Sequence, residues 1–184
     1  MRRLALLLVW LAGCGSAAPR DPRAGFERLR LAVAAHDARL LYDSLDLESR
    51  WAIDTVWKYQ RELAEVVERD FPAEARDREL GRVSRARTAA SSRDFFAAWT
   101  LDADPWPALG GAAGLGEIAT VESLSPSSAR VTTTTGLAIP MAAGQDGIWG
   151  YAGLRATLTR WKDAAANDLS RTTDNAALYA RRPR

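Results

Sequence analysis

The chain predicts a helix-rich α+β fold: a single domain of N-terminal helices, a three-stranded antiparallel meander and a long C-terminal helix. Three observations carry that expectation. Apolar residues step by threes and fours from Phe26 to Asp70. β-branched residues then alternate with others over Arg130 to Ile139, bracketed by turn chemistry. A stripe of helical period resumes at Leu154 and holds to Tyr179. Strands gathered between blocks of helix, and not alternating with them, indicate α+β and not α/β architecture.

The first periodic segment starts near Arg23, with Phe26, Leu29, Val33, Leu40, Leu41 and Leu45 at helical spacing. His36-Asp37 interrupts it, and Asp37 is suited to cap a second short helix over Ala38 to Leu45. His36 is the single histidine of the chain. A catalytic base or metal ligand is one use for it; a polar residue at a helix junction is the expected one.

Asp46 is an N-cap for a longer helix, with Glu48 favourable in its first turn. Ala52, Val56, Tyr59, Leu63, Val66 and Asp70 form its stripe, which Trp51, Ile53, Trp57 and Val67 widen. These aromatics are expected in the core; left exposed, they would form a stacking platform for a sugar or a base. Pro72 disfavours helix at Phe71 and so ends the segment.

Residues 72–87 are charged and read as a solvated helix with Leu80 and Val83 inward. Arg76, Arg78, Arg82, Arg85 and Arg87 could bind phosphate or lipid head groups. Interleaved acids favour a solvated face instead. Ser91 or Ser92 then caps a short helix carrying Phe95, Phe96 and Trp99. Residues 101–116 read as a long loop. Its Asp102 and Asp104 could contribute to a cation site, but a hard cation needs several converging oxygens. Its glycines lack the lysine and hydroxyl residue of a phosphate loop.

Residues 117–124 supply a first strand, followed by the turn Ser125-Pro126-Ser127-Ser128. Arg130 to Ile139 reads as the second, with Val131, Thr133, Thr135, Leu137 and Ile139 on one face. Gly144-Gln145-Asp146-Gly147 is a hairpin signal, and Ile148 to Tyr151 returns as the third. In the last helix Leu154, Leu158, Trp161, Ala165, Leu169, Thr172, Ala176 and Tyr179 share one stripe, expected to cover the sheet or the earlier helices.

The N-terminus carries Arg2 and Arg3, the apolar run Leu4 to Leu11, and then Ala12-Gly13-Cys14. A basic flank, a short apolar core and small residues are the parts of a secretory signal. The core is too short to span a bilayer, which needs about 20 residues. Leu11-Ala12-Gly13-Cys14 resembles the lipobox of bacterial lipoproteins. The resemblance implies cleavage after Gly13, lipidation of Cys14 and attachment to a membrane of the cell envelope. Gly15, where enteric lipoproteins retained at the inner membrane carry aspartate, implies the outer membrane facing the periplasm. Residues 1–13 are then the signal peptide, 14–23 a tether, 24–180 the domain and 181–184 a frayed tail. Cys14 is the single cysteine, so no intramolecular disulfide is available.

Cleavage leaves 171 of the 184 residues. Arg2 and Arg3 depart with the signal, so 23 bases remain against 23 acids. A formally neutral domain offers no general electrostatic attraction to nucleic acid. No nucleophile elbow, phosphate loop, zinc-ligand spacing or histidine pair occurs, and no catalytic residue or cofactor is indicated. The pattern Phe26…His36-Asp37…Leu40-Tyr42…Leu45-Asp46 resembles the paired first helices of the cone-shaped nuclear-transport-factor and ketosteroid-isomerase group. Over residues 24–151 that implies helices packed on a strongly bent sheet, although the long final helix departs from the group and one strand is missing. The resemblance gives no ground for carrying isomerase function over, since fold does not imply function. The expected function is a non-enzymatic binding or assembly module that brings an envelope protein partner to the membrane. The alternatives are a carrier of a small apolar ligand in a helix-lined cavity and, third, an enzyme.

Overall fold

The computed structural model describes residues 18–181. Among these it places helices α1 (Pro22–Ala34), α2 (Ala38–Ser44), α3 (Leu47–Asp70), α4 (Ala73–Arg82), α5 (Ser84–Thr88), α6 (Ser92–Ala103) and α7 (Arg155–Ala180). Strands β1 (Ile118–Ser125), β2 (Ser128–Thr133), β3 (Ala138–Ala143) and β4 (Trp149–Tyr151) form one antiparallel sheet in sequence order. The fold is helix-rich α+β and closes on a long helix.

Local chemistry sets the helix boundaries. Asp21 caps α1 by accepting from Ala24 N at 2.8 Å, with Pro22 in the first turn, where its missing N–H costs nothing. The helix therefore begins two residues inside the stretch read as tether. Ahead of it, Trp149 N donates to Pro19 O at 2.9 Å and Arg20 donates to Asp146 O at 2.7 Å, so residues 19 and 20 lie on the sheet. The α1 exit is a Schellman turn: Asp37 N donates to Ala32 O and His36 N to Val33 O, both at 3.1 Å. His36 takes the left-handed position, at φ 50°, that glycine usually fills. Asp37 then caps α2 through Arg39 N and Leu40 N. Ser91 caps α6: its Oγ accepts from Asp94 N at 3.2 Å and donates to Asp94 Oδ2 at 2.8 Å.

The sheet has four strands, not three. The run from Arg130 to Ile139, expected to be one strand, folds back on itself. Thr133 N donates to Leu137 O at 2.9 Å and Gly136 N to Thr133 O at 3.0 Å, with Gly136 at φ 85°. Threonine has strand propensity, but its hydroxyl also competes for nearby backbone: Thr133 Oγ1 accepts from Leu137 N and pairs with Thr135 Oγ1. The inward alternation survives because Val131 and Ile139 become cross-strand partners on the same face. Residues 101–116 also differ from the long loop expected. After α6 ends at Ala103, two short 3₁₀ turns, Pro107–Leu109 and Gly111–Ala113, bury Trp106, Leu109 and Leu115.

α1 lies across the sheet and touches all four strands. Phe26 and Leu29 of α1 and Val131, Ile139 and Met141 of the sheet fill that interface, with Leu41 of α2 in the same core, and each side chain contributes roughly 1.5–3 kcal/mol by burial. α3 and α7 are the most extensively packed pair of helices. They run parallel: Arg155 at the start of α7 grips Asp46 at the start of α3, and Tyr179 near its end packs on Phe71. The last helix thus covers α3 and α6, not the sheet, and a second apolar cluster, including Leu63, Val67, Phe71, Val83 and Ala176, fills the far end.

The α3 start is joined to the sheet through backbone. Asp46 N donates to Tyr151 O at 3.1 Å, and Leu45 forms a parallel bridge with Tyr151. A side chain at Gly150 would stand 2.5 Å from the Leu45–Asp46 backbone, so only glycine admits this approach.

Candidate functional site

Of the residues singled out in the sequence, Cys14 lies outside the described residues. His36 is exposed, and its ring lies tilted by 31° against Trp106 with centroids 4.5 Å apart. It serves the α1 exit. Asp102 pairs with Arg85 at 2.5 Å, and Asp104 ends α6 in a left-handed conformation. Among the described residues no group of three or more His, Cys, Asp or Glu side chains converges as a metal site would require.

The arginines of residues 72–87 are engaged one by one. Arg76 donates to Phe71 O at 2.8 Å, Arg78 pairs with Glu79 at 3.2 Å, and Arg87 pairs with Glu68 at 2.6 Å. Arg82 bridges two helices, at 2.8 Å from Glu79 and 3.8 Å from Asp168. Asp168 is also held by Arg171 at 2.6 Å. These partly exposed pairs retain unused donors and acceptors toward solvent, so a charged ligand can compete for them at little cost.

Arg78, Glu79, Arg82, Arg85, Asp168 and Arg171 line a groove between α4–α5 and α7, floored by Gln60 and Leu63 of α3. Two open clefts of about 300 and 280 Å³ are joined by a pocket of about 60 Å³, and Arg82 borders all three. One end is walled by aromatic rings in a stack. Trp99 and Trp161 lie 5.2 Å apart and Trp161 and Phe95 5.2 Å, with interplanar angles of 24° and 20°; Phe96, fully buried behind the groove, stacks on Trp99 at 5.3 Å and 29°. Phe71 and Tyr179 form the other end in an edge-on pair at 5.0 Å. Trp57 Nε1 donates to Ala86 O at 3.1 Å and ties the α5 wall to α3. Such a groove offers apolar faces at its ends and ionic hydrogen bonding between them.

Sequence reasoning found the parts and missed the assembly. The arginines and the aromatics were both visible as segments. Their juxtaposition depends on α7 returning along α3 from a hundred residues away. Trp51, expected in the core, is 55% exposed, because it lies on the side of α3 opposite the buried Ser49, Ile53 and Val56. No helix among the described residues is long and apolar enough to cross a membrane. In comparison with known proteins, no family model, no curated protein and no solved structure matches this chain.

Proposed function

We propose that this chain is a lipid-anchored protein of the bacterial envelope, held through Cys14, whose domain is a non-enzymatic binding module. Its groove between α4–α5 and α7 receives an extended segment of a partner protein. The observation that carries this reading is the groove's length. From Trp161 to Tyr179, both on its lining, the axis of α7 advances roughly 27 Å at 1.5 Å per residue. That suits about eight residues of extended polypeptide at 3.3 Å each, and exceeds what a small apolar ligand would occupy. Packing between α1 and the sheet also favours surface binding over a carrier, since Phe26, Leu29 and Met141 occupy the interface where a ligand cavity would lie.

The test is site-specific photocrosslinking in cells expressing the full chain. A photoreactive residue at Asn175, in the groove, should give a discrete adduct that Arg82→Glu abolishes. The same residue at Leu124, exposed on the edge strand β1, should give none. Equal adducts from both positions would overturn the groove assignment. Cys14→Ser should abolish acyl labelling and block signal cleavage; persistent labelling would overturn the anchor. Two acyl chains are needed for stable attachment, since one binds only marginally.

A further inference from the structure

Trp51 lies outside both the core and the α4–α7 groove. It borders a separate cleft of about 290 Å³ where four elements meet. The start of α3 supplies Glu48 and Trp51, the β1–β2 turn Ser127, the β3–β4 turn Gly144 and Gln145, and the start of α7 Arg155. The cleft is built closely. A side-chain carbon at Gly144 would lie 2.9 Å from Leu47 Cβ and 2.7 Å from Asp146 Oδ1, so glycine lets this turn close against α3.

We infer that this cleft binds a neutral saccharide, with one pyranose ring stacked on Trp51. The argument is chemical. Trp51 is 55% exposed beside polar groups, and an indole face offers a negative π surface to the polarised C–H face of a sugar ring. Arg155 holds Asp46 at 2.7 Å and Glu48 at 3.1 Å, so the one cation of the lining faces two carboxylates and the cleft has no positive charge to select an anion. What remains is a mixture. Arg155 and the Gln145 amide can donate; Glu48, Ser127 and the amide oxygen can accept. A ligand ringed with hydroxyls, each both donor and acceptor, satisfies that mixture; a purely anionic or purely apolar one does not. The volume sits at the lower end of ligand pockets, which run about 300–1,000 Å³, and suits one or two sugar rings.

The inference does not depend on the groove reading. Its test is isothermal titration of the full chain, extracted in a detergent without sugar head groups, with N,N′-diacetylchitobiose and with cellobiose. At least one disaccharide should bind saturably in the millimolar range. Trp51→Ala should weaken that binding by about tenfold or more, while Trp51→Phe, which keeps an aromatic face, should retain most of it. Gln145→Ala should weaken it by a smaller factor, and Arg82→Glu in the groove should leave it unchanged. Circular dichroism should match the parent for every variant. No saturable heat with either disaccharide, unaltered binding by a folded Trp51→Ala chain, or binding of adenosine or tetramethylammonium in place of the sugars would overturn the assignment.

Discussion

Replacing Asp46 with alanine should be among the most damaging single changes to this domain. The residue is 1% exposed, and its carboxylate accepts from Glu48 N at 3.1 Å, Ser49 Oγ at 2.5 Å, and Arg155 Nε and Nη2 at 3.0 and 2.7 Å. Asp46→Ala deletes the α3 cap, worth about 0.5–2 kcal/mol. It also strands the buried Ser49 hydroxyl, at about 1–3 kcal/mol. Arg155 is 38% exposed and keeps Glu48, so its loss is smaller. The total should be about 3–4 kcal/mol, within the range for breaking a buried pair and a large share of the usual 5–15 kcal/mol. Arg155→Ala leaves the Asp46 carboxylate buried without its cation and should also cost about 3 kcal/mol. The double variant should be less destabilised than the two singles added, by about 1–3 kcal/mol, since both remove one interaction. Urea unfolding followed by circular dichroism measures all three, provided the m value stays constant. Additive losses, or an Asp46→Ala variant within about 1 kcal/mol of the parent, would refute the reasoning.

Two further outcomes follow from packing and titration. A chain ended at Gly153 should fail to fold cooperatively, because Leu158, Ala165, Thr172 and Ala176 are buried in α7, and Trp161→Ala alone should cost about 3 kcal/mol; a truncated domain melting at the parent temperature would show α7 to be a free arm. Burial raises the pKa of Tyr151 above the ordinary tyrosine value, so the folded phenol keeps its proton where the unfolded one loses it. That contribution is complete below about pH 10 and is lost as pH rises through the folded value. Tyr151→Phe should therefore flatten the alkaline fall in urea midpoint, and an identical alkaline slope in both chains would contradict it.

Much of the helical architecture was legible because its determinants are local. Asp37, Asp46 and Ser91 cap helices by reaching only two or three residues along the chain. The apolar steps Phe26, Leu29, Val33 and Leu158, Ala165, Thr172 mark buried faces through helical geometry alone. The signal of four strands was weaker. Thr132 to Thr135 has strand propensity in any alternating run, and only the bonds made by Thr133 turn it into a hairpin.

By itself the sequence determined where α2, α3 and α6 begin, which residues face inward along most of the helices, and that strands lie between helical blocks. Periodicity and capping act within a few residues, so one chain of letters suffices to read them. Tertiary structure alone decided that α7 lies along α3, that Asp46 meets Arg155 across 109 positions, and that Trp99 stacks on Trp161. It also decided that Trp51 faces water at a cleft and not the core. These contacts depend on how the amphipathic faces are paired in space. Several pairings satisfy the same stripe equally well until side-chain shape and the close backbone approach at Gly150 select one.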